Sequence, residues 1–327
     1  YPHKRFPDSE VTREAIFIND RIYLNDKTTA VLGARYDSYD QKAKTDALHA
    51  RNNIFGHEVK PRSDSQVSMK VGLIRDISED MSLFLQYAEG YRNPNFDEAY
   101  NTYTNLAQMY TIIPNPDITA ETSEGFEVGL RGSLSNTSWS LAYYKNDYKD
   151  FIAYEYLFPP IQGVLQVQYQ NLGSVETDGI EFESKTVFND NLSASFGISL
   201  NDGKEDDGYL DSLSPDHAKI SLSWISDSGR LRWNTVSTLM ESSRSNLSPV
   251  CGRSGVCSPA QGTAGRVTLD TYLNFDLTEK VNIKFGIRNL TDVKYWDYPT
   301  IAGQAAGTAD EYLMPGRNMS FSIRYSL

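Results

Sequence analysis

No run of about 18 consecutive apolar residues occurs in this 327-residue chain, so it encodes no transmembrane helix. Cysteine is almost absent: Cys251 and Cys257 stand alone in a Gly- and Ser-rich tip, Val250 to Cys257. No histidine or second cysteine pair lies close to them, which argues against zinc and for a short loop closed by a disulfide in an oxidising compartment. So small a ring contributes about 2 to 3 kcal/mol at most, local to its loop. Basic excess is lacking too, and the formal charge of −12 argues against nucleic acid, whose phosphates would be repelled. There is no Gly-x-Ser-x-Gly, no His-Glu-x-x-His and no phosphate-binding glycine loop. Four histidines and abundant serine leave a nucleophile–base pair conceivable, but nothing marks one, and the expectation is a protein that is not an enzyme.

What the chain does have is tyrosine and alternation. Aromatics make up 12% of residues, 21 of them Tyr, a side chain with an apolar ring and a polar tip suited to strands and membrane interfaces. At the end of the chain Met319, Phe321, Ile323 and Tyr325 interleave with Asn318, Ser320, Ser322 and Arg324. Val281, Ile283, Phe285 and Ile287 interleave in the same way with Asn282, Lys284, Gly286 and Arg288. Two further segments, from Leu192 to Asn201 and from Val267 to Phe275, repeat the pattern. Successive strand side chains point to opposite faces, so one strand of this kind fits either a half-buried soluble sheet or a membrane barrel wall. The recurrence, with small and charged residues on the second face, favours a wall with lipid on one side and a wet lumen on the other. A soluble carbohydrate-binding or propeller-like protein is the rival, and would require the apolar faces to meet one another.

Period two and turn residues predict about thirteen strands. Tight connections fall near Asn25–Lys27, Ser78–Asp80, Leu134–Asn136, Asn189–Asn191, Asp227–Gly229 and Thr278–Lys280; long polar ones span about 43–63, 93–120, 155–165, 203–215, 243–263 and 293–314. Short turns on one rim and long loops on the other are the habit of outer-membrane barrels. If the last strand descends to the periplasm, the first, near Val11 to Leu24, descends too. An odd count beginning downward predicts at least one upward strand before Tyr1, since such barrels have even strand numbers.

The run Leu85-Gln86-Tyr87-Ala88-Glu89-Gly90-Tyr91-Arg92-Asn93-Pro94-Asn95-Phe96-Asp97-Glu98-Ala99-Tyr100 resembles a segment of TonB-dependent outer-membrane receptors. Similar matches follow in the family's order: Asn115-Pro116-Asp117-Ile118 and Glu127-Val128-Gly129-Leu130-Arg131; Tyr169-Gln170-Asn171-Leu172-Gly173 and Asp178-Gly179-Ile180-Glu181; Asn289-Leu290-Thr291-Asp292; and Pro315-Gly316-Arg317. The resemblance implies an all-β fold, an antiparallel transmembrane β-barrel of 22 strands around an N-terminal plug. Residues 1–327 would form one barrel region, the C-terminal thirteen strands or so, with the plug and the TonB-contacting box outside the chain. Closing Leu327 departs from the aromatic residue usual at such ends. The resemblance further implies a Gram-negative outer-membrane location, lipid and the TonB complex as partners, no resident cofactor or metal, and an iron compound as cargo.

The boxes at Tyr91–Pro94 and Asn115–Ile118 look like those that bracket a loop in haem and haemoprotein receptors. There that loop carries a haem-ligating His; here 95–114 holds none. Tyr103, Met109 and Tyr110 within the loop, and His57 in the preceding one, are the candidate ligand contacts, because Tyr, Met and His can all take an axial position. Haem or a haemoprotein is the favoured cargo and a ferric siderophore the alternative. His217 is expected at the rim, held by Asp216. Glu127, Arg131, Glu181, Glu183, Lys185, Lys284, Arg288 and Arg324 alternate with apolar neighbours, so they are expected to face the lumen and to pair with one another or with the plug.

Overall fold

The computed structural model describes residues 4–171, 173–205, 208–243, 247–251, 256–307 and 309–326; His3, Leu172, residues 252–255, the Cys251 side chain and Leu327 lie outside them. The strands begin with β1 (Asp8–Asn25), β2 (Thr28–Lys44), β3 (Arg62–Asp76), β4 (Met81–Arg92), β5 (Tyr103–Asn105), β6 (Tyr110–Ile113) and β7 (Glu121–Leu134). They continue with β8 (Thr137–Lys149), β9 (Ile152–Ile161), β10 (Val164–Asn171), β11 (Ser174–Val187), β12 (Leu192–Glu205), β13 (Gly208–Tyr209) and β14 (His217–Ile225). The last are β15 (Leu231–Met240), β16 (Val250–Cys251), β17 (Cys257–Ser258), β18 (Arg266–Asp276), β19 (Val281–Arg288) and β20 (Asn318–Tyr325). Three short helices, α1 (Ala47–Ala50), α2 (Phe96–Tyr100) and α3 (Tyr298–Ile301), lie in connections. None is long and apolar enough to cross a membrane, which says nothing against crossing by strands.

Thirteen strands pair in one antiparallel path, β1-β2-β3-β4-β7-β8-β11-β12-β14-β15-β18-β19-β20, and β13 adds to β12 as the fourteenth member of the sheet. Among the described residues β1 and β20 are its two ends, so the sheet is open between them. All six expected tight turns join neighbouring strands, and their polar residues act through the side chain. Asn25 Oδ1 accepts from the Lys27 N–H at 3.0 Å, Asn189 Oδ1 from the Leu192 N–H at 2.9 Å, and Thr278 Oγ1 from the Val281 N–H at 3.0 Å. The expected loop over 155–165 is instead a hairpin, β9 and β10, which joins β5 and β6 in a second sheet of order β5-β6-β10-β9. Its residues Val164, Leu165 and Val167 are buried, which the local sequence does not announce.

Register fixes the faces. Leu192, Trp224, Trp233, Leu273, Phe285 and Phe321 are successive cross-strand partners over six strands, one unbroken apolar row close to the tight-turn rim. Phe285 and Phe321 are exposed rather than packed inside the molecule, as a wall bordering hydrocarbon requires and a soluble sandwich does not allow. On the other face, aromatic rings lie over glycines of the next strand. Phe84 is in register with Gly129, Tyr144 with Gly179 and Tyr272 with Gly286. A Cβ on Gly129 would sit 2.3 Å from the Phe84 ring, and one on Gly179 would sit 2.7 Å from the Tyr144 hydroxyl. Glycine there lets the ring lie flat along the wall, a device that accompanies sheet curvature.

Candidate functional site: a crown over the long-loop rim

Three of the long connections, over 45–61, 93–120 and 150–173, come together at one end of β1–β11. Their base is built around Arg92 of the first box singled out in the sequence. The Arg92 guanidinium donates from Nη2 to Glu121 Oε1 at 2.7 Å and from Nη1 to both Glu98 oxygens at 2.9 Å, with Nε also on Glu121. Glu98 closes a capping box on α2, accepting from the Asn95 N–H at 2.8 Å while Asn95 Oδ1 accepts from the Glu98 N–H at 3.0 Å. Glu121 also takes the Ile152 N–H at 2.7 Å, which ties the third connection to the same cation. Over this lies a small core of Ala99, Tyr100, Ile118 and Ile152, with Ala43, Val59 and Tyr169 against it. Tyr100 is 1% exposed, and its hydroxyl donates to the Lys60 carbonyl at 2.8 Å. Arg92 of the first box thus fastens the loops through Glu98 and Glu121, and Asn115 of the second donates to the Tyr169 carbonyl at 2.7 Å.

The second sheet forms the platform above. Thr104, Thr111 and Gln166 are in register and share one of its faces; Tyr103, Tyr110, Ile112, Leu165 and Val167 share the other. Tyr103 and Tyr110 lie with ring centroids 5.9 Å apart, and the Arg5 guanidinium sits 4.9 Å from the Tyr103 centroid. Met109 is at the β5–β6 turn, half exposed at a φ of 55°, and its carbonyl accepts from the Leu165 N–H at 3.0 Å. His57 approaches the opposite face, its Nε2 3.3 Å from Gln166 Nε2. The structure therefore brings Tyr103, Tyr110 and Met109 to one end of the platform and sets His57 behind it. Among the described residues no three His, Cys, Asp or Glu side chains gather as a metal site.

Sequence reasoning passed over His49. It is 1% exposed in α1, its Nε2 2.9 Å from Thr102 Oγ1, next door to Tyr103. Burial pushes its imidazole below the ordinary value, partly offset by the nearby Asp46 carboxylate. Asp46 caps α1, accepting from the His49 N–H at 2.8 Å, and this bond first and the Lys4 ammonium second hold it below the usual carboxylate range. Thr102 Oγ1 is also 3.0 Å from the Arg5 carbonyl, and Phe6 meets Phe96 edge-on at 5.3 Å, so the residues before β1 are bound into the crown. Asp46-x-x-His49 carries a capping signal, but nothing local predicts a partner 53 residues away. Burial lowers the His57 imidazole as well.

The eight charged residues expected at the lumen share one face of the main sheet. Arg131, Ser140, Glu183, Gly197 and Lys219 form one cross-strand row on it, and Lys185, Ser195 and Ser221 another. Glu127 and Glu181 border a recess of about 430 Å³, Arg131, Glu183 and Lys185 one of about 880 Å³, and Lys284 one of about 680 Å³. Arg288 and Arg324 stand opposite Asn318 and Asn282. No two of the eight form an ion pair with one another among the described residues; uncharged side chains such as Ser140, Ala142, Ser195, Asn282 and Asn318 stand opposite them. His217 is also not held by Asp216: that carboxylate accepts from the Asn201 N–H at 2.8 Å, and His217 Nδ1 has no hydrogen-bond partner. Cys257 is disulfide-bonded and stands in register with Cys251, the chain's other cysteine.

Comparisons with known proteins agree with this geometry. The hemoglobin-haptoglobin utilization protein B of Neisseria meningitidis is 23% identical over 93% of this chain, which spans 42% of that relative's length. The copper transporter OprC superposes with a TM-score of 0.74 at 17% identity, over 98% of this chain and 50% of its own. The FrpB iron transporter from Neisseria meningitidis gives 0.72 at 15% identity, over 99% and 46%. At these identities the structures speak for the fold alone. Residues 1–290 match the family model for the TonB dependent receptor-like beta-barrel, and the chain belongs to that family.

Proposed function

We propose that this chain forms the barrel wall and part of the ligand-capturing surface of a receptor that imports an iron compound. Membership puts it in the outer membrane of a Gram-negative cell, in a family of receptors and transporters rather than enzymes. We read haem or a haemoprotein as the cargo, with a ferric siderophore as the alternative. The observation that carries this reading is the crown itself: three loops fastened to one base and presenting a rigid aromatic platform outside the wall. Its apex exposes Leu106, Met109, Tyr156, Phe158 and Ile161, an uncharged surface of the kind that anchors protein or macrocycle contacts. The name of the haemoglobin-haptoglobin relative points the same way.

On this reading Tyr103, Met109 and Tyr110 meet the cargo and His57 acts from behind the platform. The charged face of the wall lines the lumen that the cargo crosses. Energy reaches the protein through the TonB complex, by way of a region outside this chain, and the barrel does no covalent chemistry and needs no resident cofactor.

The test is a titration of the intact protein, expressed from its own gene in outer membranes, with haem, haemoglobin and a panel of ferric siderophores. A Soret shift that Tyr110→Phe or Tyr103→Phe reduces supports the haem reading. Binding of siderophores alone removes it.

A further inference from the structure

The face of the second sheet that carries Tyr103 and Tyr110 also carries Tyr154, Tyr156 and Tyr169, so five phenol rings stand on one side of four strands. Tyr154 and Tyr169 meet edge-on with centroids 4.7 Å apart, and Tyr154 and Tyr156 are exposed. Arg5 brings a cation to this face. Its guanidinium lies over Tyr103, and its charge is felt as far as Tyr169, whose phenol is pushed up by burial first and by Asp97 and Glu98 next, with Arg5 opposing them.

Arg5 is placed by its backbone. Its carbonyl accepts from the Thr102 N–H at 2.9 Å and from the Thr102 hydroxyl at 3.0 Å, and the neighbouring Phe6 is fixed against Phe96. The side chain is exposed, touches the Phe6 and Tyr103 rings, and has no ion-pair or hydrogen-bond partner among the described residues. Other basic side chains nearby are committed: Lys4 to Asp8 and Asp46, Lys60 to Glu58, Arg92 to Glu98 and Glu121, and Arg62 to the Ile118 carbonyl. Arg51, also exposed and without an ion pair among the described residues, follows α1 in the 45–61 connection. Attraction to a ring uses the charge of a guanidinium and none of its hydrogen bonds, so the N–H fork of Arg5 stays open to an acceptor that can meet it at two points.

We propose that Arg5 holds a carboxylate on the edge of the imported compound while the ring system of that compound lies against the tyrosine face. The inference rests on the haem reading above and deepens it. Haem is a planar macrocycle with two propionate carboxylates on one edge, and here an aromatic face and an uncommitted guanidinium stand side by side to receive both. Arg5 is then a specificity-determining residue, selecting cargo by the charge at its rim.

The experiment titrates the intact protein in detergent with haem and with haem dimethyl ester, in which both propionates are capped and the macrocycle is unchanged, following the Soret band. Wild type binds haem about fivefold more tightly than the ester, the upper end for an ion pair this exposed. Arg5→Gln binds haem about fivefold more weakly and treats the two alike, and Arg5→Lys, which keeps the charge and loses the fork, recovers part of the difference. Arg51→Gln, which removes the same charge elsewhere in the crown, behaves as wild type. Heat-modifiable mobility on gels confirms that each variant is a folded barrel. Wild type binding both compounds equally, or Arg5→Gln keeping the preference, overturns the proposal and leaves the haem reading in place. An equal loss in Arg51→Gln also overturns it, since net charge is then the cause. Wild type binding neither compound removes the haem reading itself, and this inference with it.

Discussion

Replacing Tyr100 with alanine should unfasten the crown while leaving the wall intact. The ring is fully buried against Ala99, Ile118 and Ile152, and its hydroxyl reaches across to the Lys60 carbonyl, so one side chain holds three connections. Truncating a buried aromatic costs about 3–5 kcal/mol, transfer and cavity together, and the hydroxyl bond accounts for about 1 kcal/mol of the total. The crown opens locally, so the loss falls on its own opening equilibrium rather than on the whole barrel. Amide hydrogen exchange over 93–120 and 152–171 should accelerate by about two to three and a half powers of ten at 1.4 kcal/mol per decade. Tyr100→Phe keeps the ring and should accelerate the same peptides only about fivefold. Peptides from β12 and β15 serve as the internal standard. Unchanged crown exchange in Tyr100→Ala, or acceleration of β12 to the same degree, would refute the account of the crown as a separate unit held by this residue.

Acid should loosen the same structure. His49 is neutral and buried in the folded chain, with a lowered folded value, whereas the unfolded chain takes up a proton near the ordinary 6.5 or so. Its contribution is complete above about 6.5 and is lost as pH falls from there through the folded value, with Asp46 opposing the shift and Lys4 reinforcing it. Protease cleavage within 93–120 should rise between pH 7.5 and 5, and a His49→Gln, His57→Gln double variant should flatten that dependence; a slope identical to wild type would count against it. On the wall, Gly129→Ala places a Cβ 2.5 Å from the Leu141 carbonyl oxygen, which cannot swing away as the Phe84 ring can. It should cost about 1–3 kcal/mol and lower the yield of folded barrel. Gly197→Ala, whose Cβ would have 3.8 Å to the Phe182 carbonyl, should be tolerated. Equal yields from both would show that the close approach at 129 is unimportant.

The wall could be read from the chain because its signals are local. Val281 to Arg288 alternates strictly, and Asn189 and Thr278 mark turns by bonds their own side chains make two or three residues on. The crown could not be read in the same way. Residues 155–165 look like a loop because Pro159, Pro160 and Gly163 interrupt the alternation, and β10 pairs in parallel with β6, more than 50 residues earlier, which no local pattern announces. Side-chain chemistry marks Tyr103, Met109 and Tyr110 as candidates, and they lie together at one end of the platform. The same chemistry marks His57 as a candidate, yet the register of Thr111 with Gln166 puts it behind that surface. His49 looked ordinary in sequence, and only its contact with Thr102 gives it a part.

The stitching of the crown also bears on when it can form. β5 and β6 are three and four residues long, too short to persist alone, and the contacts that hold the platform span 53 residues from His49 to Thr102 and 109 from His57 to Gln166. Such distant partners meet only after the strands between them have taken their places, since loop closure must be bought first. The crown therefore matures last, and on the proposed receptor reading a chain that stalls during insertion displays nothing for a ligand to find.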